Sequence, residues 1–410
     1  MTRAPRPDAN HDQPVIVDLF AGPGGLDIAA EVLDISTIGV EWDKATRATR
    51  HAAGLRTTEI GDVAKLSPLD PEVRSARVLT GGPPCQTFSV AGNREGHKAL
   101  DEVTRLAWLV GESESVEELD KAWAEVEQTA VALSWADERT GLVLQPLRWI
   151  VEKMLKSTTP YEAVVLEQVP TVLPVWREYT KILRKRGYDA DCDILHTEEY
   201  GVPQTRRRAV LIARYRGDAE GQSLEFPPLT HQRYRKGVER LPVTQEPSAP
   251  TSGLLQHQLF EAPAPACRPK KPWVSMRDVL EDTRPADFVV VSNYGSGGDP
   301  EKRGRRVSDA PAATVTGKVR RNKVYDLKGY NADGEPELGA EQDRFTFREA
   351  GLLQTFPAEY PWRGTDVAQQ IGNAIPPLLA VHILCTALEL DDDRKKKAIE
   401  ALRTWRPPQS

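Results

Sequence analysis

Cys85 is the residue with the most chemistry to offer. It stands in the run Gly81-Gly82-Pro83-Pro84-Cys85-Gln86-Thr87-Phe88-Ser89, directly after an apolar stretch, Val78 to Gly81, that reads as a strand. A loop at the carboxyl edge of a parallel sheet is where α/β enzymes bind their ligands. A lone cysteine is more often a small buried hydrophobe. Here, however, two prolines fix the backbone just ahead of the thiol, and the surroundings are a glycine-flanked loop rather than an apolar strand. That is the setting of a nucleophile for covalent catalysis.

A second constellation opens the chain: Val15-Ile16-Val17-Asp18-Leu19-Phe20-Ala21-Gly22-Pro23-Gly24-Gly25-Leu26, a strand running into a glycine-rich turn and then a helix. Glycine lacks Cβ, so backbone can approach a ligand closely, and a helix start offers free N–H groups. The next apolar run, Thr37 to Glu41, ends in Glu41-Trp42-Asp43. This puts a carboxylate where the ribose hydroxyls of a nucleoside cofactor lie, with an aromatic face beside it. Gly61-Asp62-Val63 supplies another carboxylate at an expected strand end. The turn alone fits an ordinary structural turn equally well, and it is an imperfect G-x-G-x-x-G that gives no support to NAD. Glu41 with Trp42 tilts the reading to an adenosyl ligand, with or without a pyrophosphate.

The elements that must position these residues are legible as a rhythm. Val- and Ile-rich runs that stop at Gly, Asp or Glu alternate with amphipathic stretches, the pattern of a parallel α/β sheet. Strands are expected at Val15 to Leu19, Thr37 to Glu41, Val78 to Gly81, Ala163 to Glu167, Ala190 to Leu195 and Ala209 to Ala213. Two segments break the rhythm. Lys98 to Asp137 is helical and acidic, with Lys98, Arg105 and Lys121 against ten Asp or Glu, and reads as a solvated helical excursion. From about Gly217 to Asp343 Pro and Gly are frequent and strand-like pieces such as Phe288 to Ser292 occur, which marks a second domain. Beyond it, Val367 to Leu390 reads as apolar helix and Asp391 to Lys397 as a helix end on the surface.

At 410 residues the chain exceeds what one core usually serves, so two domains are expected. A net charge of -6 argues weakly against a nucleic-acid partner, but the distribution argues the other way. Lys302 to Lys323 holds eight basic residues against one acid, Asp309; Arg can read guanine edges and Lys can neutralise phosphates. The four cysteines, Cys85, Cys192, Cys267 and Cys385, form no CxxC pair, so neither a metal site nor a disulfide framework is suggested. Met1 to Asn10 lacks the apolar core of a signal peptide. The apolar stretch Leu378 to Leu390 is interrupted by His382 and is short of the roughly 20 residues that span a bilayer. A cytoplasmic protein with no membrane partner is expected.

In sum of motifs, the chain resembles the DNA (cytosine-5) methyltransferases of the bacterial modification-methylase type. The blocks that match, in the family's order, are Asp18 to Gly25 with Glu41-Trp42 and Asp62, then Gly82 to Ser89, Glu167-Gln168-Val169, Gln204 to Arg208, Arg344 to Gln354 and Gln370 to Pro377. The resemblance implies an α/β fold, a Rossmann-like S-adenosylmethionine-dependent methyltransferase with a mixed, mostly parallel sheet and a smaller target-recognition domain. Its implied division is 14–216 for the first catalytic part, with a helical insertion at 98–137, then 217–366 for target recognition and 367–405 for a C-terminal helix returning to the catalytic domain.

Residue roles follow from the same resemblance. Cys85 adds to carbon 6 of cytosine, Glu167 acts as general acid on ring nitrogen 3, and Arg206 and Arg208 hold the base and its flanking phosphates. S-adenosylmethionine is assigned to Asp18, Phe20, Gly22, Gly24, Gly25, Leu26, Glu41, Trp42, Asp62, Pro83 and Asn373. Duplex DNA is assigned to Gln86, Ser89, Arg303, Arg305, Arg306, Thr314, Thr316, Lys318, Arg320 and Arg321, with the target base flipped out of the stack. A monomer is implied, as is a restriction endonuclease acting on the same site. One departure stands out: Glu167-Gln168-Val169 replaces the usual Glu-Asn-Val, and the retained amide is expected to keep the orienting hydrogen bonds. Competing readings are the same chemistry on RNA, which the motifs allow, and a catalytically silent DNA-binding protein, against which the intact Cys85, Glu167, Arg206 and Arg208 speak. An amino-group methyltransferase is disfavoured because cysteine stands where those enzymes resemble Pro-Pro-Tyr, and a dehydrogenase for want of a dinucleotide fingerprint.

Overall fold

The structure is a computed structural model that describes residues 15–84, 94–132, 138–157, 159–217, 224–238, 240, 270–293 and 303–408. Its centre is a six-stranded sheet in the order β2-β1-β3-β4-β7-β5. These strands are β1 (Ile16–Leu19), β2 (Thr37–Val40), β3 (Val78–Gly81), β4 (Ala163–Gln168), β5 (Tyr188–His196) and β7 (Arg207–Tyr215). The first four pair in parallel, and β7 runs antiparallel to both β4 and β5. Side chains alternate between two cores, as the twofold period of a strand requires. Val17, Leu19, Val164, Leu166, Ala209 and Leu211 enter one, and Ile16, Ala163, Val165, Val210 and Ile212 the other. Burial on both faces explains why these strands read as unbroken apolar runs.

One face carries α1 (Gly25–Val32), α10 (Pro377–Ala387) and α11 (Asp392–Thr404). The other carries α3 (Arg94–Gly111), α4 (Val116–Ala132), α5 (Gln145–Lys156) and α6 (Leu173–Lys185). The acidic stretch expected to be a solvated excursion is thus corrected. Val103, Leu106, Ala107 and Val110 of α3 and Leu119, Ala122 and Val126 of α4 are buried in the main core, at the spacing of one helix face. Only the opposite faces, with Glu112, Glu117, Glu118 and Asp120, are exposed. Between β2 and β3, α2 (Lys44–Ala52) begins at Asp43, whose carboxylate accepts the Thr46 N–H at 2.8 Å.

The second unit is an antiparallel sheet ordered β12-β11-β8-β9, made of β8 (Phe288–Val291), β9 (Arg305–Val307), β11 (Lys323–Tyr330) and β12 (Pro336–Gln342). The short helices α7 (Met276–Leu280) and α8 (Phe347–Leu353) each start in a capping box, Ser275 with Asp278 and Thr346 with Glu349. The two units are stitched by a parallel pair of two-residue strands, β6 (Gln204–Thr205) and β10 (Ala312–Ala313).

The apolar stretch Val367 to Leu390 is two helices and not one. In α9 (Val367–Asn373), Val367 and Ile371 pack into the core of the second unit; α10 packs under the central sheet. Pro376 and Pro377 separate them, since neither offers a backbone N–H to continue a helix. The stretch Val367–Ala387 is apolar enough for a membrane span by composition, but most of it is buried in the protein. Asp391 to Lys397 is likewise a helix start: Asp391 accepts the Arg394 N–H, and Asp392 and Asp393 occupy the first turn of α11, where acids suit the helix dipole.

Candidate active site

The glycine turn between β1 and α1 lies at the carboxyl edge of the sheet. Gly24 has φ +103 and starts α1. At Gly25 a Cβ would stand 2.2 Å from the Ile375 carbonyl oxygen, so only glycine lets the segment between α9 and α10 cross the turn. The Glu41 carboxylate is fixed at both oxygens, Oε2 accepting the Gly22 N–H and Oε1 the Asp43 N–H, each at 2.8 Å. Burial raises its pKa, and those two N–H groups oppose the rise. Beside it the Trp42 ring is 74% exposed. Asp62 is not at a strand end: it caps a 3-10 turn, Val63–Lys65, accepting the Ala64 N–H at 3.0 Å. Asn373 ends α9, exposed, with its Oδ1 bonded by Gln369 Nε2 at 2.7 Å.

Two members of the expected cofactor set point elsewhere. The Leu26 side chain is part of the core between sheet and α10. Asp18 is buried and accepts the Thr80 hydroxyl at 2.6 Å, bracing β1 against β3. Burial, with Asp27 nearby, pushes its pKa up to about 8. Behind the turn lies a feature with no signal in the sequence: Arg50 and Asp27 form a fully buried bidentate pair at 2.8 and 2.9 Å, and Arg50 Nη1 also reaches the Gly22 carbonyl at 3.3 Å.

The cysteine loop leaves β3 at Gly81. Cys85, Gln86 and Ser89 lie outside the described residues, but the approach to them does not. Pro83 accepts a hydrogen bond from Gln168 Nε2 at 2.6 Å, and the Gln168 Oε1 accepts the Val169 N–H. The substituted amide thus ties the last residue of β4 to the loop two positions before Cys85. Replacing Gln168 by Ala should lower kcat at least tenfold and leave cofactor affinity unchanged; an unaltered kcat would remove Gln168 from the positioning of the loop.

Glu167, 7% exposed, stands at the end of β4 with Oε1 in an ion pair with Arg208 Nε at 2.6 Å. Its Oε2 is 3.7 Å from where a Cβ on Gly82 would sit, so the carboxylate borders the root of the cysteine loop. Burial lowers the Arg208 pKa and Glu167 opposes the shift. Arg206 differs from its expected role. It is 1% exposed and its guanidinium donates to the carbonyls of Val315 at 3.0 Å and Ala374 at 3.2 Å. Burial, with Arg208 close by, lowers its pKa well below the usual arginine value. Its side chain is a strut between the two units rather than an open hand for a base.

The strut belongs to a buried amide network that sequence reasoning did not single out. Gln204 accepts the Val315 N–H at 2.7 Å and donates to Gln354 Oε1 at 2.8 Å; Gln354 in turn donates to the Ile371 carbonyl at 2.7 Å. The Thr314 hydroxyl donates to the Thr205 carbonyl at 2.8 Å, and Thr316 Oγ1 accepts the Lys318 N–H. The basic run, expected to form one reading surface, divides. Lys302 lies outside the described residues and Arg303 is half-buried. On β9, Arg305 donates to the Pro336 carbonyl, and Arg306 donates to the Pro311 carbonyl while covering the Tyr234 ring at 4.8 Å. Lys318, Arg320 and Arg321 are exposed.

A carboxylate held by arginine beside a proline-stiffened cysteine loop, next to a glycine turn with a fixed acid and an open indole, is a coherent group-transfer site. Comparison with known proteins agrees. The family described as C-5 cytosine-specific DNA methylase matches residues 15–108 and 134–388, so most of α3 falls within the match and all of α4 outside it. The type II methyltransferase M1.HphI of Haemophilus parahaemolyticus is 24% identical over 390 residues, spanning 92% of this chain and 87% of that protein. The type II methyltransferase M.Sau96I of Staphylococcus aureus is 26% identical, spanning 90% and 74%. The crystal structure of the S. pombe Dnmt2 methyltransferase superposes with a TM-score of 0.51 at 15% identity, covering 91% of this chain and 98% of that one, which speaks to the shared fold. The chain belongs to the C-5 cytosine-specific DNA methylase family and is a DNA cytosine-5 methyltransferase.

Proposed function

We propose that the protein uses S-adenosylmethionine to methylate cytosine carbon 5 within a specific duplex DNA sequence, flipping the base and attacking it through Cys85. We further read it as the modification half of a restriction–modification system, a monomer working in the cytoplasm. The observation that carries this reading is the Glu167–Arg208 pair at 2.6 Å, set against Gly82 at the root of the cysteine loop.

Carbon 5 of cytosine is a poor nucleophile. A thiolate bond from Cys85 to carbon 6 pushes electron density onto carbon 5, and Glu167 assists by donating a proton to ring nitrogen 3. Arg208 fixes one Glu167 oxygen, which sets the direction of the other. Glu41 and Trp42 suit the ribose and adenine of the cofactor: the carboxylate is already oriented by two backbone N–H groups, and the indole offers a free face. When bound, the cofactor supplies a methyl group activated by a sulfonium. After transfer the carbon 5 proton is lost to water, the electrons of that bond re-form the ring double bond, Cys85 departs as thiolate, and the proton on ring nitrogen 3 returns to Glu167. Flipping the base costs a few kcal/mol, which DNA contacts around the pocket must offset.

Glu167→Ala should slow methyl transfer by about 10²–10⁴-fold with cofactor affinity nearly unchanged. Loss of cofactor binding with normal turnover at saturation would place Glu167 in the wrong site. Bisulfite sequencing of DNA from cells expressing the protein tests the activity and yields its target together.

A further inference from the structure

The second unit presents a cationic surface assembled from two separated segments. After Val315, which is tied to Gln204, the chain passes Gly317 and enters a 3-10 turn, Val319–Arg321, whose apolar residue Val319 is buried. Lys318, Arg320 and Arg321 are left exposed around it. From the other segment, Arg344 Nη1 donates to the Arg320 carbonyl at 3.2 Å, and the Arg320 guanidinium covers the ring of Phe347, the first residue of α8, at 5.0 Å. Phe345 points into the core, while Arg344 before it and Arg348 just after Phe347 are exposed. Five exposed cations thus come from two segments that meet at Arg320.

The acids nearby do not neutralise it. Glu349 is bound to Arg284 in the interior, with N–O distances of 2.8 and 3.2 Å, and Glu341 pairs with Lys323 at 3.0 Å. Asp343 is the one exposed acid between positions 343 and 348. The surface also stands near the reaction. Val315 accepts from Arg206, which is two residues from Arg208, and Lys318 follows Val315 by three residues, at most ~10 Å of chain.

We propose that Lys318, Arg320, Arg321, Arg344 and Arg348 form one composite face that holds backbone phosphates of duplex DNA beside the target base. Arg305 and Arg306, bonded into the sheet, serve the fold instead. The proposal rests on the DNA reading above and adds to it which cations meet the phosphates, two of them outside the basic run. Each strand of duplex DNA carries one phosphate per about 3.4 Å of helix axis, so a set of exposed cations on a rigid turn can engage more than one at once. Such contacts carry no sequence information but set register and supply salt-dependent affinity.

The test is the salt dependence of duplex binding by the full chain, measured on a scrambled sequence. Each lost phosphate contact should flatten the slope of log affinity against log salt by about 0.9. Arg344→Gln and Arg348→Gln should each do so, and the double variant by about twice as much, with S-adenosylmethionine affinity unchanged as the sign of an intact fold. Arg344→Lys should restore the slope, which loss of a mere support for the 3-10 turn would not predict. Arg306→Gln should leave the slope as in the wild type. Wild-type slopes in both Arg344→Gln and Arg348→Gln would overturn the composite face while leaving the DNA reading intact. A wild-type protein whose duplex binding is absent or insensitive to salt would instead overturn the DNA reading itself.

Discussion

Cys85→Ala is expected to abolish methyl transfer while S-adenosylmethionine still binds. Without a thiolate bond to carbon 6, carbon 5 has no means of attacking the methyl group, and no other described side chain offers a replacement nucleophile at that loop. Cofactor affinity is spared because its expected contacts lie elsewhere: Phe20 follows β1, Glu41 and Trp42 follow β2 and Asp62 caps the 3-10 turn, whereas the thiol follows β3. A duplex with 5-fluorocytosine at the target should trap the wild-type enzyme as a covalent adduct, since fluorine cannot leave carbon 5 as the proton does, and the alanine variant should form none. Turnover by Cys85→Ala would end the covalent reading, and so would an adduct mapped to another residue.

Much of this site was legible because its residues sit where buried strands end. The runs Val78 to Gly81 and Ala163 to Leu166 are apolar for the physical reason that both faces of the sheet are covered, and the residues that end them, Gly82 and Glu167, stand at the carboxyl edge, where α/β enzymes bind ligands. What stayed hidden is chemistry that depends on three dimensions. Arg206 and Arg208 are adjacent in motif and alike in type, yet one braces two backbone carbonyls from distant segments and the other holds Glu167. No spacing distinguishes them. The acidic stretch misled for a different reason: net charge averages over a helix, whereas Val103, Leu106, Ala107 and Val110 show by their periodicity alone that one face is apolar. The basic run divided because alternate strand residues and a 3-10 turn expose different side chains, which a count of charges along the sequence does not resolve. Nor did anything in Lys44-Ala45-Thr46-Arg47-Ala48-Thr49-Arg50 announce that its last arginine is a fully buried ion.

That arginine carries the second large expectation. Arg50→Ala should destabilise the fold by about 3–5 kcal/mol, the usual consequence of removing one partner of a buried pair. The guanidinium makes two bonds to Asp27, at 2.8 and 2.9 Å, and others to the Arg56 carbonyl at 3.0 Å and the Thr57 hydroxyl at 2.9 Å. Without it Asp27 keeps, among the described side chains, the Thr37 hydroxyl at 3.0 Å and is left as an uncompensated buried charge beside Asp18. The pH dependence has a definite sign. Asp18 already has its pKa raised from 3.8 to about 8 by burial and by Asp27, with Arg50 pulling it down. A carboxyl whose folded pKa is raised favours folding while protonated, and this contribution is lost as pH climbs from its unfolded value through the folded one. Removing Arg50 strengthens that loss, so the deficit of the variant relative to wild type should be smaller near pH 5 than near pH 8. Cofactor affinity should fall as well, because the Gly22 carbonyl loses the Arg50 contact that steadies the turn. Equilibrium urea unfolding at the two pH values decides the matter: a variant as stable as wild type, or one whose deficit grows toward acid, would mean that the pair does not hold the turn in place.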